Sequence, residues 1–185
     1  AIRLSLVGSE MCIRDRWGIV LQSGSKFTHV AHGTIKTKTT WTSANRLDEI
    51  HSSLNDVITN WLPDKAAVEQ IFVAKGADSA LKLGMARGVA MQTCAGKGLD
   101  LTEISARQVK KAVTGTGAAD KTQVAAMVEK LLKIKPEGLD ASDALAIAIA
   151  GINMWPNYSI DKTTVPTGNG LKSAIEAALL KEQRR

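Results

Sequence analysis

"GLDASDALAIAIAG" (138–151) sets two acids, Asp140 and Asp143, three residues apart at the head of an otherwise apolar segment. Leu145, Ile147, Ile149 and the alanines between them leave no polar face, so the stretch reads as a helix buried on nearly all sides. Two readings of the acids stand. As helix caps they would satisfy free backbone N–H groups and suit the helix dipole. As part of a metal site they need a third acid from elsewhere in the chain.

Glu69 is the candidate third acid. It stands in the apolar run "AAVEQIFVA" (66–74), between Val68 and Ile71. A charged carboxylate there is costly unless it is paired, bound to metal or turned to solvent on an edge strand. Together Glu69, Asp140 and Asp143 make an oxygen-only donor set of the kind that suits magnesium. Acid clusters holding two such ions hydrolyse phosphodiesters by activating water and stabilising the leaving oxygen. His29, His32 and His51 lie early in the chain and are expected to be ordinary surface or sheet histidines.

Strand and helix signals alternate around these acids. Residues 17–22 (WGIVLQ) and 26–36 (KFTHVAHGTIK) read as a hairpin about Ser23-Gly24-Ser25. Residues 43–61 carry Leu47, Ile50, Leu54, Val57, Ile58 and Trp61 at helical spacing, with Ser43 as the cap. A short strand at 66–74, a helix at 77–95, a strand at 98–104 and helices at 105–113 and 120–132 follow. A hairpin followed by alternating elements predicts an α/β fold with a mixed sheet flanked by helices. Ala80, Gly84 and Gly88 form a small-residue stripe on the 77–95 helix, suited to close helix approach.

The 185 residues, 44% hydrophobic and 23% charged, fit one folded domain with a sizeable core. No run is long and apolar enough for a membrane helix and no leader is evident, so the expected location is cytoplasmic. Cys12 and Cys94 lack zinc or disulfide spacing. The net charge of +6 is concentrated: Arg107, Lys110, Lys111, Lys121, Lys130, Lys133 and Lys135 face Asp120 and Glu129 alone between 105 and 135. Such a stretch is either a solvated lysine-rich surface or a polyanion-binding one.

Three segments carry a family resemblance: "AVEQIFVAKGADSALKLGMARGVAM" (67–91), "ARQVKKAVTGTGAADKTQVAAMV" (106–128) and "DASDALAIAIA" (140–150). They closely resemble the RuvC family of Holliday junction resolvases, over about Trp17 to Trp155. The resemblance implies an RNase H-like fold with a five-stranded mixed sheet, occupying 17–155; beyond Pro156 the composition turns polar, and 156–185 reads as a polar basic tail. It implies a homodimer that uses two magnesium ions per site to nick four-way junction DNA in recombination and repair, alongside a branch-migration helicase complex.

Carried over by position, the resemblance makes Glu69, Asp140 and Asp143 metal ligands and puts Lys110 and Lys121 at the catalytic centre. Phe72, Lys75, Lys110, Lys111 and Lys121 become DNA contacts. Phe72 would stack on a junction base; its alternative is a core position, out of phase with Glu69. The glycine stripe falls on the helix that resembles the dimer-forming element, with packing against its own sheet as the alternative.

One departure matters. The family's fourth acid belongs on the first strand, in a motif like "GIDPG" leading to Trp17, and the corresponding position is Ser9 in "SLVGSEMCIRDRWG". Glu10 and Asp15 are the nearest acids, and neither stands in the motif. Residues 5–16 fit no expected element and look like translated adapter sequence, so 1–16 reads as an atypical, non-native segment. The expectation is a chain that binds metal poorly and cleaves slowly or not at all. Its rivals are an inactive junction-binding protein and an RNase H-like nuclease with another substrate, such as an RNA–DNA hybrid.

Overall fold

Alternation along one strand, β2 (Arg14–Ser23), decides what each face of the sheet meets. Trp17, Ile19 and Leu21 join one apolar core, whereas Val20 joins another on the opposite face. The computed structural model describes residues 2–8, 14–70, 77–136 and 138–154. Five strands form one sheet: β1 (Ile2–Gly8), β2, β3 (Lys26–Lys36), β4 (Lys65–Glu69) and β5 (Asp100–Ile104), in the order β3-β2-β1-β4-β5. β1 pairs antiparallel with β2 and parallel with β4; β2–β3 is antiparallel and β4–β5 parallel. The sheet is therefore mixed.

Helices cover both faces. On one side α1 (Ser43–Trp61) and α2 (Ala77–Gly96) bury Ile50, Leu54, Ile58, Ala86, Ala90 and Cys94 against Ile19, Ile35, Ala66 and Val68. Burial pushes the Cys94 thiol up to about 12, so it behaves as a core hydrophobe. On the other side lie α3 (Ala106–Thr114), α4 (Lys121–Leu132) and α5 (Leu139–Met154), packed on Val20, Ala67 and Ile104. Among the described residues no helix is long and apolar enough to cross a membrane.

The helices begin where side chains can take up their free amides. Ser105 and Asp120 form capping boxes with Gln108 and Gln123, and Gly115 closes α3 in the left-handed region at φ 84°. Thr42, rather than the expected Ser43, caps α1, accepting from the Asn45 amide at 3.2 Å. Ser43 is already the first helical residue, so the cap falls one position earlier.

Residues 5–16 are a larger correction. Residues 5–8 belong to β1 and 14–16 to β2, so both lie inside the sheet rather than ahead of it. The cause is an alternation that begins before Ser5, with Ile2, Leu4 and Leu6 set against Arg3 and Ser5. Trp17 accordingly stands on the second strand, paired with Leu6. The strand expected over 66–74 is described as Lys65–Glu69, and 71–76 lie outside the described residues. Glu69 thus ends its strand instead of standing mid-strand.

Gly18 sets how closely α5 lies on the sheet. A Cβ there would come within 3.0 Å of Leu145 Cδ2, 3.2 Å of the Leu145 backbone N and 3.3 Å of the Ala144 carbonyl carbon. Two of these atoms are helix backbone, so a methyl group cannot be absorbed by a side-chain rotation. Gly18→Ala should lower stability by about 1–3 kcal/mol, the usual range for overpacking. Chemical denaturation checks this, and an unchanged midpoint would mean that α5 is not seated by this contact.

Asp15 generates a second expectation. Alternation places it on the α1–α2 side with Trp17 and Ile19; it is 6% exposed, and its Oδ2 has no hydrogen-bond partner among the described residues. Burial pushes its carboxyl up to about 6, with the neighbouring Arg16 charge working in the opposite direction. A raised carboxyl favours folding at low pH, and that contribution is lost as pH rises through about 6. The difference in stability between Asp15→Asn and the parent should therefore shift in the variant's favour by roughly 2–3 kcal/mol between pH 4 and pH 8. Parallel stability curves across that window would contradict the burial of an ionisable group here.

Candidate active site

Strand alternation carries Glu69 to the α5 side. Ala66 and Val68 belong to the core beneath α1 and α2, and Ala67 to the core beneath α5, so Glu69 projects the same way as Ala67. The end of β4 is pinned from the other face. Arg87 of α2 donates from Nε to the Glu69 carbonyl oxygen at 3.3 Å, while its Nη2 pairs with the Glu103 carboxylate on β5. The Glu69 backbone is thus held from one layer while its side chain projects toward the other.

Asp143 meets this strand end from α5. Its Oδ2 accepts from Lys121 Nζ at 3.2 Å. The Asp143 side chain is 25% exposed and that of Lys121 66%, so the pair opens outward. Glu69 is held above the usual glutamate range, first by burial and then by the Asp143 charge, with Lys121 working the other way. Lys121 is raised in turn by its hydrogen bond to Asp143 and by the negative charges of Asp143, Asp140 and Glu69. These directions describe acids and an ammonium group close enough to share one field.

Lys121 is the first residue of α4, directly after the Asp120 cap. A cation at a helix N-terminus opposes the macrodipole by about 0.3–1 kcal/mol, and the facing carboxylates offset that. The capping box therefore fixes a lysine where the helix itself would not favour one.

Asp140 is turned elsewhere. Its Oδ2 pairs at 2.6 Å with Nη2 of Arg16, whose side chain is only 14% exposed. Arg16 rises from β2 two residues before Gly18, under the first turn of α5. Among the described residues no group of three or more His, Cys, Asp or Glu side chains stands ready to hold a metal ion. In donor chemistry Glu69, Asp143 and Asp140 suit a hard divalent cation. As arranged, Glu69 and Asp143 face one another's charge while Asp140 is engaged by a guanidinium. The two helix-head acids are ion-pair partners of Lys121 and Arg16, and Asp140 also stands in the first turn of α5, where it suits the helix dipole.

The other expected site residues are more dispersed. Lys110 and Lys111 ride on α3, half-buried and exposed respectively, and neither is among the charges that shift Glu69 or Lys121. Phe72, Lys75, Ser9, Glu10 and the tail at 156–185 lie outside the described residues. His29 and His32 meet on β3 with Nε2 and Nδ1 2.8 Å apart, and His51 Nδ1 lies 2.8 Å from Thr93 Oγ1. Asp15 cannot join the acids, because it faces the opposite layer.

Sequence reasoning missed Arg16, Arg87 and Gly18. Arg87 carried a faint signal, as a charged residue beside Ala86 and Ala90, which α2 buries. For Arg16 there was none, since its strand was not recognised that far back.

Comparisons with known proteins identify the family and the fold. The family model described as crossover junction endodeoxyribonuclease RuvC matches residues 8–151. Among curated relatives, the chain is 46% identical over 139 residues to crossover junction endodeoxyribonuclease RuvC of Erythrobacter litoralis, covering 75% of this chain and 85% of that one. It is 48% identical over 143 residues to the protein of that name from Sodalis glossinidius, covering 76% and 82%. Thermus thermophilus RuvC superimposes with a TM-score of 0.73 at 27% identity, over 81% of this chain and 92% of that one. The same protein in complex with Holliday junction substrate gives 0.75 at 27%, over 80% and 91%. The sheet order, the helical layers and these likenesses together define an RNase H-like fold, and the chain belongs to the RuvC family of crossover junction endodeoxyribonucleases.

Proposed function

We propose that this protein binds four-way DNA junctions and that its acid cluster is built for hydrolysing phosphodiesters in them, as in recombination and repair. The observation that carries this is the meeting of Glu69, Asp143 and Lys121 at one strand end in a chain of this family of metal-dependent nucleases. Glu69, Asp143 and Asp140 would hold the metal. Magnesium fits the oxygen-only set, and when bound, two ions in a site with all four acids would supply an activated water and charge neutralisation at the leaving oxygen.

The chain's own residues do the rest. Lys121 reaches outward from the acids, placed to offset the charge of a scissile phosphate. Lys110 and Lys111 extend positive potential along α3, and with Lys121 they steer the polyanionic backbone toward the acids. Lys75 would add to that surface, and Phe72 would stack on a splayed base, an interaction worth roughly 1–3 kcal/mol.

A homodimer fits a two-fold junction, with one site for each strand cut. Its contact is best supplied by α2. That helix buries Ala86, Ala90, Thr93 and Cys94 inward, leaves Leu81 62% and Met85 40% exposed, and has nothing within 4 Å of a Cβ built at Gly84 or Gly88. Among the described residues, nothing packs against the two glycines, which favours a contact with a second copy. Met85→Glu should shift the sedimenting species from twice the chain mass to once. Retention of the dimer would direct attention away from α2. Partnership with a branch-migration helicase and a cytoplasmic location follow from the family resemblance.

A second reading, junction binding without cleavage, is favoured by the Arg16–Asp140 pair and by serine at position 9. A synthetic four-way junction with magnesium separates the two. The chain should bind the junction in preference to a linear RNA–DNA hybrid, in a salt-sensitive manner, and cut it slowly or not at all. Ser9→Asp should speed cutting at least about a hundredfold, equivalent to about 2.7 kcal/mol of barrier, and Asp143→Asn in that background should abolish the gain. Preference for the hybrid would defeat the junction assignment, and full cutting by the unaltered chain would remove Ser9 as the impairment.

A further inference from the structure

We infer that Arg16 is an internal competitor for the divalent cation: its guanidinium engages Asp140 and keeps that carboxylate out of the set formed with Glu69 and Asp143. The inference rests on the metal-binding reading of those acids and adds a residue that suppresses it.

Three observations carry it. Arg16 Nη2 lies 2.6 Å from Asp140 Oδ2, a charge-assisted contact at short range. The Arg16 side chain is 14% exposed against 50% for Asp140, so the guanidinium is the enclosed partner. It cannot move freely into solvent, and a cation recruiting Asp140 must strip the enclosed guanidinium of this carboxylate. Finally, no three acids stand ready together among the described residues, although Asp140 and Asp143 share the first turns of one helix.

The guanidinium and the metal ion are both cations that seek the same oxygen donors. The competition is therefore between two permanent cations for one carboxylate. A divalent ion entering beside Glu69 and Asp143 would meet the Arg16 charge as well as a missing ligand. Both effects weaken binding, and both vanish when the guanidinium is removed. Lys121 does not act the same way, since at 66% exposure its ammonium can swing away from Asp143.

The test uses Mn2+ as a paramagnetic probe for the site, with no DNA present, and reads free ion by electron paramagnetic resonance. Arg16→Gln should bind Mn2+ at least roughly tenfold more tightly than the parent chain. Arg16→Lys, which keeps the charge but loses the planar fork, should fall between them and guards against a folding failure in the glutamine variant. Adding Asp140→Asn to Arg16→Gln should remove most of the gain. Equal affinity in parent and Arg16→Gln, or an undiminished gain in the Asp140→Asn background, overturns the inference. Glu69→Gln and Asp143→Asn report separately on the metal site. If they weaken binding while Arg16→Gln changes nothing, the site stands and Arg16 is a bystander; if they leave Mn2+ binding intact in every background, the metal-site reading falls and takes the Arg16 inference with it.

Discussion

The contact of α5 with the sheet at Gly18 is the constraint on which the site depends. Without a side chain at that position, the helix backbone sits against β2, and the acids at its head reach the strand ends. The helix is suited to this approach because Ala141, Ala144, Ala146, Ala148, Ala150 and Gly151 present so little bulk. Close packing, not a special loop, delivers Asp143 to Glu69. The density typical of protein interiors then converts a covalent spacing along the helix into a fixed distance from the sheet.

Around that contact the electrostatics are divided. Lys121 answers the half-exposed, outward-facing part of the acid cluster, and Arg16 answers Asp140 from beneath. Arg87 works on the far side of the sheet, holding the Glu69 main chain and the Glu103 carboxylate rather than the acid cluster. The three cations therefore differ in setting: Lys121 is exposed at the rim, Arg16 is enclosed, and Arg87 fixes a strand terminus. A net charge alone would not distinguish them; the layer from which each side chain arises does.

Much of this was legible from residue order. The buried character of 139–154 followed from its unbroken apolar residues, and the β2–β3 hairpin from its β-branched content around Ser23-Gly24-Ser25. The conjunction of Glu69 with a helix-head pair was visible because a carboxylate in an apolar run demands a partner. The partners themselves were not legible. Arg16 meets Asp140 across more than a hundred residues, through a strand order that no local period encodes. The cap at Thr42 differs from expectation by one position, because several adjacent residues are adequate termini. β1 was missed since its alternation starts at Ile2, ahead of the stretch that attracted notice.

The order in which the elements leave the ribosome gives the topology a temporal side. β1 is an interior strand whose parallel neighbour, β4, is made some sixty residues later, so β4 and β5 join the sheet only after distant chain is made. The last described helix to be synthesised is α5, which covers Val20, Ala67 and Ile104. Until it emerges, an apolar sheet face stands open to water and to other nascent chains, a condition that favours chaperone capture. Because the same helix carries Asp140 and Asp143, the acid cluster is assembled only as that face closes, and unfinished chains are born without it.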